Sequence, residues 1–264
     1  MTGAYSEQRS VQLGETGPGG RIKISSLFNH LQGVTGAHSH SIGFGTADIL
    51  KEGLTWVISR YRLSIASLPA LFERFTISTW RSGETGKFAI REYLLSDGSG
   101  AVLKRGTSSW MLLDFRNGRA VTPSSRYPDY PVNPERALDD RFESIPVVSN
   151  PVYEKEFIVR RGDLDINNHV NNAYYIAWMV ETGEDVTQNL NLCDIAVSFK
   201  GEAKYGDTVI SQVSGDGRGG RLVHRLSLKG SGRELTRGIT EWHGRAASDG
   251  QDSSSTMRSK SSSE

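Results

Sequence analysis

The chain has 264 residues, 36% of them hydrophobic, and its 31 basic and 30 acidic side chains nearly cancel. That length serves one large domain or two of ordinary size, and the balanced charge leaves no bulk electrostatic footprint for nucleic acid. A single cysteine, Cys193, excludes an intrachain disulfide and a cysteine-rich zinc site, and it suits a reducing compartment.

The N-terminus, MTGAYSEQRSVQLGETGPGG, lacks the apolar core of a signal peptide. No apolar run approaches the roughly 18 residues of a membrane span. A soluble, cytoplasmic protein with no membrane span is therefore expected. Residues 1–14 read as a flexible N-terminus. A helix is expected over about 24–40, with Ser25 or Ser26 as N-cap and Leu27, Leu31 and Val34 on one face. Strand-like runs follow (TWVISRYRLSI, ERFTISTW, KFAIREYLLS and AVLKRGTSSWMLLD), separated by Gly- or Pro-containing turns. These make up a first unit, 15–122.

Six of the eight prolines fall within residues 123–151. Proline removes backbone donors and stiffens the chain, so 123–150 reads as a linker running over the surface. A second unit, 151–245, repeats the order: strand YEKEFIV, a helix from about 170, then DIAVSFKGE, TVISQVS, RLVHRLSLK and ELTRGITEWHG. The tail 246–264 is Ser-rich and poor in apolar residues, and it reads as disordered.

The two units carry a trace of duplication. Residues 98–110 (GSGAVLKRGTSSW) and 230–242 (GSGRELTRGITEW) coincide at seven of thirteen places, ending on Trp110 and Trp242 at an offset of 230 − 98 = 132. One helix followed by several antiparallel strands, made twice, is an α+β pattern. Two helix-wrapped sheets joined edge to edge would hide their exposed edges.

The densest polar cluster, GDLDINNHVNN (162–172), runs directly into an apolar helical pattern. Val170, Ala173, Tyr174, Ala177 and Trp178 share a stripe that should pack on the sheet, and Glu181 continues it as a candidate buried carboxylate. Asp165, Asn167 and His169 then sit before the helix N-terminus, where free N–H groups can hold a carbonyl oxygen that gains negative charge. Asp-x-Asp-x-Asn resembles the start of a calcium loop, but Asn168 and Tyr174 stand where that loop needs Gly and Glu, so no metal is expected. A helix cap with a solvent-facing histidine and an acid/base site both remain open from these residues alone. The first helix has no such entrance set. Its His38 and His40 lie late, where a cation suits the C-terminus.

DLDINNHVNN followed by YYIAWMVE resembles the signature of the acyl-acyl-carrier-protein thioesterases of plants and bacteria. Gln32, His38, Trp56, Arg60, Thr79, Trp80, Arg91 and Trp110 add to the resemblance, which spans about 15–245. It implies a double hot-dog fold, with a catalytic C-terminal unit and an N-terminal unit that holds the acyl chain along Leu27, Leu31, Val34 and sheet residues. It implies Asp165, Asn167, His169 and Glu202 as the catalytic group, and no cofactor. Glu202 would need a bulge at Gly201 to leave the solvent face of its strand.

Where plant members carry a cysteine this chain has Ala203, and Cys193 does not fit the motif. The expected reaction is hydrolysis of fatty acyl-acyl carrier protein, with base catalysis by Glu202 or His169 and an oxyanion site at the N–H groups of residues 170–172. The expected partner is an acidic, transiently bound carrier protein. Arg160, Arg161, Lys204, Arg218 and Arg221 are candidates for its basic rim. Acyl-coenzyme A hydrolysis and a non-catalytic acyl-binding protein are the rival readings. A hydratase of this fold would need Asp where Leu164 stands. Chain length and a homodimer are left open.

Overall fold

The computed structural model describes residues 3–188, 190–215 and 220–244. The Ser-rich tail at 246–264, expected to be disordered, lies outside the described residues. The first half consists of β1 (Tyr5–Ser10), α1 (Ile24–Ser41), a short α2 (Thr46–Leu50), β2 (Leu54–Ile65), β3 (Arg74–Thr85), β4 (Phe88–Asp97), β5 (Val102–Asp114) and β6 (Arg119–Val121). One helical turn, α3 (Pro123–Arg126), opens the linker. The second half holds β7 (Tyr153–Ile158), α4 (Asn172–Thr187), β8 (Leu190–Phe199), β9 (Thr208–Ser214), β10 (Arg221–Leu228) and β11 (Glu234–Gly244).

All strands join one antiparallel sheet in the order β1-β3-β4-β5-β2-β8-β11-β10-β9-β7, with β6 on β5. The order reads outward identically from its centre: β2, β5, β4, β3, β1 on one side and β8, β11, β10, β9, β7 on the other. The halves meet at β2 and β8, paired from Arg60↔Ser198 to Ser64↔Asp194, so each central edge is covered by the other. The repeated segments of the sequence are the turns that follow β4 and β10 together with most of β5 and β11. Their duplication extends to side chains: Trp110 Nε1 donates to Ser108 Oγ at 2.8 Å, and Trp242 Nε1 donates to Thr240 Oγ1 at 2.7 Å.

Each long helix lies on its own half of the sheet. Leu27, Phe28, Leu31 and Val34 of α1 are fully buried, as are Ala173, Ile176 and Met179 of α4. Both faces belong to one apolar core, whose burial is the main favourable contribution to folding. The helices also touch each other, through Gln32 Nε2 to Asn171 Oδ1 at 3.3 Å and Asn171 Nδ2 to Asn29 Oδ1 at 3.2 Å.

Several expectations are corrected here. Residues 5–10, read as flexible, form β1, paired with β3 from Tyr5↔Thr79 to Ser10↔Arg74; the alternation of this polar strand was too weak to register. The N-cap of α1 is Lys23, not Ser25 or Ser26, and it makes no side-chain cap bond. The buried stripe of α4 is turned relative to the expected one: Tyr175, Ile176, Met179 and Val180 face inward while Tyr174 and Ala177 are half-buried. Glu181 accordingly faces solvent, half exposed, and pairs with Lys155 at 2.9 Å. His38 is not a solvated C-terminal cation. It is buried beside Arg91, and burial together with that guanidinium lowers its pKa to about 4.

The linker is anchored rather than loose. The carboxylate of Glu92, wholly buried, accepts from Arg136 Nε at 2.7 Å, Ser82 Oγ at 2.7 Å and the Ala137 N–H at 3.1 Å. Trp80 Nε1 donates to the Glu135 carbonyl at 2.8 Å.

Candidate active site

The loop between β7 and α4 is built around Asp165. Its Oδ1 accepts from the Asn167 N–H at 2.8 Å and the His169 N–H at 3.2 Å, and its own N–H donates to the His169 carbonyl at 2.7 Å. These bonds close a tight turn that needs Asn168 at φ 63°, a left-handed conformation that asparagine tolerates. The turn is tied to its surroundings by Val170 N–H to the Ala203 carbonyl at 3.0 Å and Asn171 N–H to the Asp163 carbonyl at 2.9 Å. Asn171 then caps α4, its Oδ1 accepting from the Ala173 N–H at 3.0 Å.

The loop presents the imidazole of His169 to Glu202, with Nδ1 and Oε2 3.1 Å apart. Glu202 reaches it because β8 ends at Phe199 and the chain kinks. Lys200 and Gly201 both donate to the carbonyl of Leu235, at 2.8 and 3.1 Å, which replaces regular alternation by an irregular step. The space at Gly201 is tight, a Cβ there falling 2.7 Å from Arg233 Nη1 and 3.3 Å from the Glu234 carbonyl oxygen. Arg233 Nη2 in turn donates to the Glu202 carbonyl at 2.8 Å. His169 and Glu202 line a cleft of about 510 Å³ together with Asn172 of α4, Lys204, and Ile58 and Met111 from the first half.

Of the four residues singled out from the sequence, His169 and Glu202 are therefore in direct contact at a cleft. Asp165 touches His169 through the backbone N–H and not through the ring. Asn167 is exposed, and its amide faces Asp165 Oδ2 at 3.4 Å rather than the cleft. Of the expected oxyanion donors, the Val170 and Asn171 N–H groups are already taken. Asn172, the first residue of α4, is the one whose N–H has no acceptor among the described residues.

Ala203, where a nucleophilic cysteine would stand, is fully buried, its N–H on Tyr175 Oη at 2.8 Å. The Cys193 thiol donates to the Glu241 carbonyl at 3.1 Å, and burial raises its pKa. Neither position supplies a thiolate. Among the described residues no group of three or more His, Cys, Asp or Glu side chains stands where it could hold a metal ion, and no helix is long and apolar enough to cross a membrane.

The basic candidates are spread out. Lys204 lines the cleft, and Arg161 lies over the Tyr205 ring at 4.4 Å. Arg160 is exposed at the base of the loop. Arg221 lines a separate cleft under linker residues 139–146, and Arg218 lies outside the described residues. Leu27, Leu31 and Val34, expected to line an acyl pocket, are fully buried, and a cavity in the first half is lined by Gln32, Thr35, Gly36 and Ser39 of the same helix.

A long helix wrapped by an antiparallel sheet, made twice in one chain and joined through β2 and β8, is a double hot-dog fold. The same architecture occurs in an acyl-ACP thioesterase from Bacteroides thetaiotaomicron, with TM-score 0.81, 22% identity, and coverage of 91% of this chain and 98% of that one. It also occurs in a 12:0-ACP thioesterase from Umbellularia californica, with TM-score 0.79, 24% identity, and coverage of 92% and 98%. At these identities the likeness defines the fold.

Residues 3–124 match the acyl-ACP thioesterase N-terminal domain and residues 149–244 the acyl-ACP thioesterase C-terminal domain. The chain belongs to the acyl-ACP thioesterase family. Relatives include the oleoyl-acyl carrier protein thioesterase 1, chloroplastic, of Arabidopsis thaliana, 28% identical over 93% of this chain and 77% of that protein. The palmitoyl-acyl carrier protein thioesterase, chloroplastic, of Cuphea hookeriana is 27% identical over 90% of this chain. The match spans 62% of the length of that protein, and 62% of the FATB2 acyl-ACP hydrolase of Cuphea viscosissima.

Proposed function

We propose that this chain hydrolyses the thioester of fatty acyl-acyl carrier protein, releasing the free fatty acid and the carrier thiol and so ending chain growth in fatty acid synthesis. The observation that carries the reading is the 3.1 Å contact between His169 Nδ1 and Glu202 Oε2 at the cleft beside the α4 N-terminus. A carboxylate at Nδ1 selects the tautomer with its proton on that nitrogen and leaves Nε2 as the acceptor.

In this mechanism Nε2 takes a proton from water as the water oxygen bonds to the thioester carbonyl carbon. Glu202 stabilises the imidazolium that results. The tetrahedral intermediate carries its negative oxygen at the Asn172 N–H and the positive end of α4. Collapse breaks the carbon–sulfur bond, and the proton on Nε2 passes to the leaving sulfur. Asp165 and Asn167 act as positioning residues that hold the turn carrying His169. An acyl-enzyme on Asp165 is disfavoured because its Oδ1 is committed to two backbone N–H groups.

Thiol release from dodecanoyl-carrier protein, followed in wild type and His169→Ala, tests the assignment. The expected result is turnover lost in a variant that melts like the wild type. Undiminished turnover in that variant would remove His169 from the chemistry. Intact-mass spectra during single turnover should show no acyl adduct on the protein.

A further inference from the structure

The first half contains a pocket of about 200 Å³ whose lining includes Gln32, Trp56, Trp110, Tyr130, Arg81 and Arg91. Both arginines are 5% exposed and directly opposite one another on β3 and β4. Arg81 is paired with Glu84, yet its buried Nε has no partner. Arg91 has neutral hydrogen-bond partners only: His38 Nδ1 at 3.0 Å, Thr79 Oγ1 at 3.3 Å and Tyr130 Oη at 2.6 Å. His38 is held neutral, as its lowered pKa requires. The pocket thus contains one more buried positive charge than the carboxylates around it neutralise. Such a charge is costly unless an anion meets it.

The duplicated half shows that the fold does not need this arrangement. Thr35-Gly36 on α1 matches Thr182-Gly183 on α4, each threonine hydroxyl bonding the carbonyl four residues back, at 2.9 and 2.7 Å. Arg91 pairs with Ser108, and Leu222 with Thr240, the equivalent of Ser108 at the offset of the repeat. Leu222 therefore occupies the place of Arg91. In the second half the space is filled: a Cβ on Gly183 would fall 2.9 Å from Trp242 Cζ2 and 3.5 Å from Leu222 Cδ1. Over Gly36 there is nothing within 4 Å. One half closes the space with leucine and tryptophan, while the other keeps it open and puts two arginines in it.

We propose that this pocket binds a carboxylate carried on an aliphatic chain, with the anionic oxygens on Arg91, Arg81 and the Tyr130 hydroxyl and the chain lying against Trp56 and Trp110. A guanidinium has donors beyond those Arg91 already uses, in a fork that matches a carboxylate. Gln32 connects the pocket to the α4 N-terminus, since it lines the pocket and donates to Asn171 Oδ1 at 3.3 Å. The carboxylate belongs either to the far end of an acyl substrate, a half-thioester of a dicarboxylic acid, or to a free fatty acid. The first source rests on the thioesterase function proposed above. The binding claim itself does not.

Calorimetric titration of the intact protein with octanoate and with 1-octanol tests the claim, using wild type, Arg91→Leu, Arg91→Lys and Tyr130→Phe, each checked by thermal melting. Octanoate should bind at least about tenfold tighter than octanol in wild type, and that difference should vanish in Arg91→Leu. Arg91→Lys should keep part of it, and Tyr130→Phe should weaken octanoate alone. Equal affinities for octanoate and octanol in wild type would overturn the proposal. So would octanoate affinities unaltered in Arg91→Lys and Tyr130→Phe, should the leucine variant not fold.

Thiol release from suberoyl- and octanoyl-carrier protein then separates the sources. A preference for the suberoyl ester that collapses in Arg91→Leu supports the substrate end. Equal rates with octanoate binding intact support the free acid. Arg91-dependent octanoate binding without any thiol release would keep this site and reject the hydrolase reading. Thiol release without such binding would do the reverse.

Discussion

His169 Nδ1 lies 3.1 Å from Glu202 Oε2, although the two residues sit on different elements and Glu202 is largely exposed. The contact exists because the Asp165 turn fixes one side and the kink at Gly201 turns the other. It fixes which nitrogen of the ring can work as a base. His169→Ala should lower kcat about a hundred- to ten-thousandfold, the usual contribution of a general base, with little change in melting temperature. Glu202→Gln should lower kcat less than His169→Ala, because it removes the charge facing the imidazole but leaves the ring in place. A glutamine variant with the kcat of the wild type would argue against the pairing.

Asp165 acts on the loop rather than on the ring. Asp165→Ala leaves the N–H groups of Asn167 and His169 without their acceptor and should reduce kcat strongly. Asp165→Asn keeps an acceptor oxygen and should recover a substantial part of it. Steady-state rates for the two variants decide this. Equal losses in both would mean that the negative charge matters, not the turn.

Much of this site was legible in the sequence. The Asp165–His169 turn and the helix it precedes are local, so their residues appear in order and the caps announce themselves. The duplication was legible through Gly98 and Gly230, Gly100 and Gly232, Trp110 and Trp242, because the hairpin keeps its turn glycines and its indole bond. Glu202 and a bulge at Gly201 were also expected, but the pairing of Glu202 with the His169 ring was not, since it depends on how Leu235 and Arg233, distant in sequence, hold the kink. The arginine pocket was also missed. Strand alternation places Arg91 on the face of Ala89 and Tyr93, a signal that an inward-facing charge should have raised. The phase of α4 was misread because Tyr174 and Tyr175 are equivalent in composition, and only packing distinguishes them.

The linker depends on Glu92. Its carboxylate is fully buried and takes Arg136, Ser82 and the Ala137 N–H together. Glu92→Ala leaves Arg136 without its partner in a partly buried place and should destabilise the protein by about 3 kcal/mol, read as a lower urea midpoint. A midpoint within experimental error of wild type would show the linker to be held elsewhere.

His224 gives the fold an acid-sensitive centre. It is wholly buried, bonds Thr240 Oγ1 at 2.7 Å through Nε2, and has its pKa lowered to about 3 by burial. A folded-state pKa below the unfolded value means that this group's contribution is fully present above about pH 6.5 and is lost as pH falls toward 3. Between those limits the unfolded state binds the proton first. The slope of stability against pH should flatten in His224→Gln, measured by urea unfolding from pH 7 to pH 4. An identical slope would assign the acid sensitivity to other groups, His38 foremost.

The central claim is tested most directly by free-thiol release from C8 to C18 acyl-carrier proteins and the matching acyl-coenzyme A esters, run in parallel with the purified chain. Faster release from the carrier-protein esters is expected, abolished in His169→Ala. Release from coenzyme A esters alone, or none from either while the acyl chain stays bound, would contradict it.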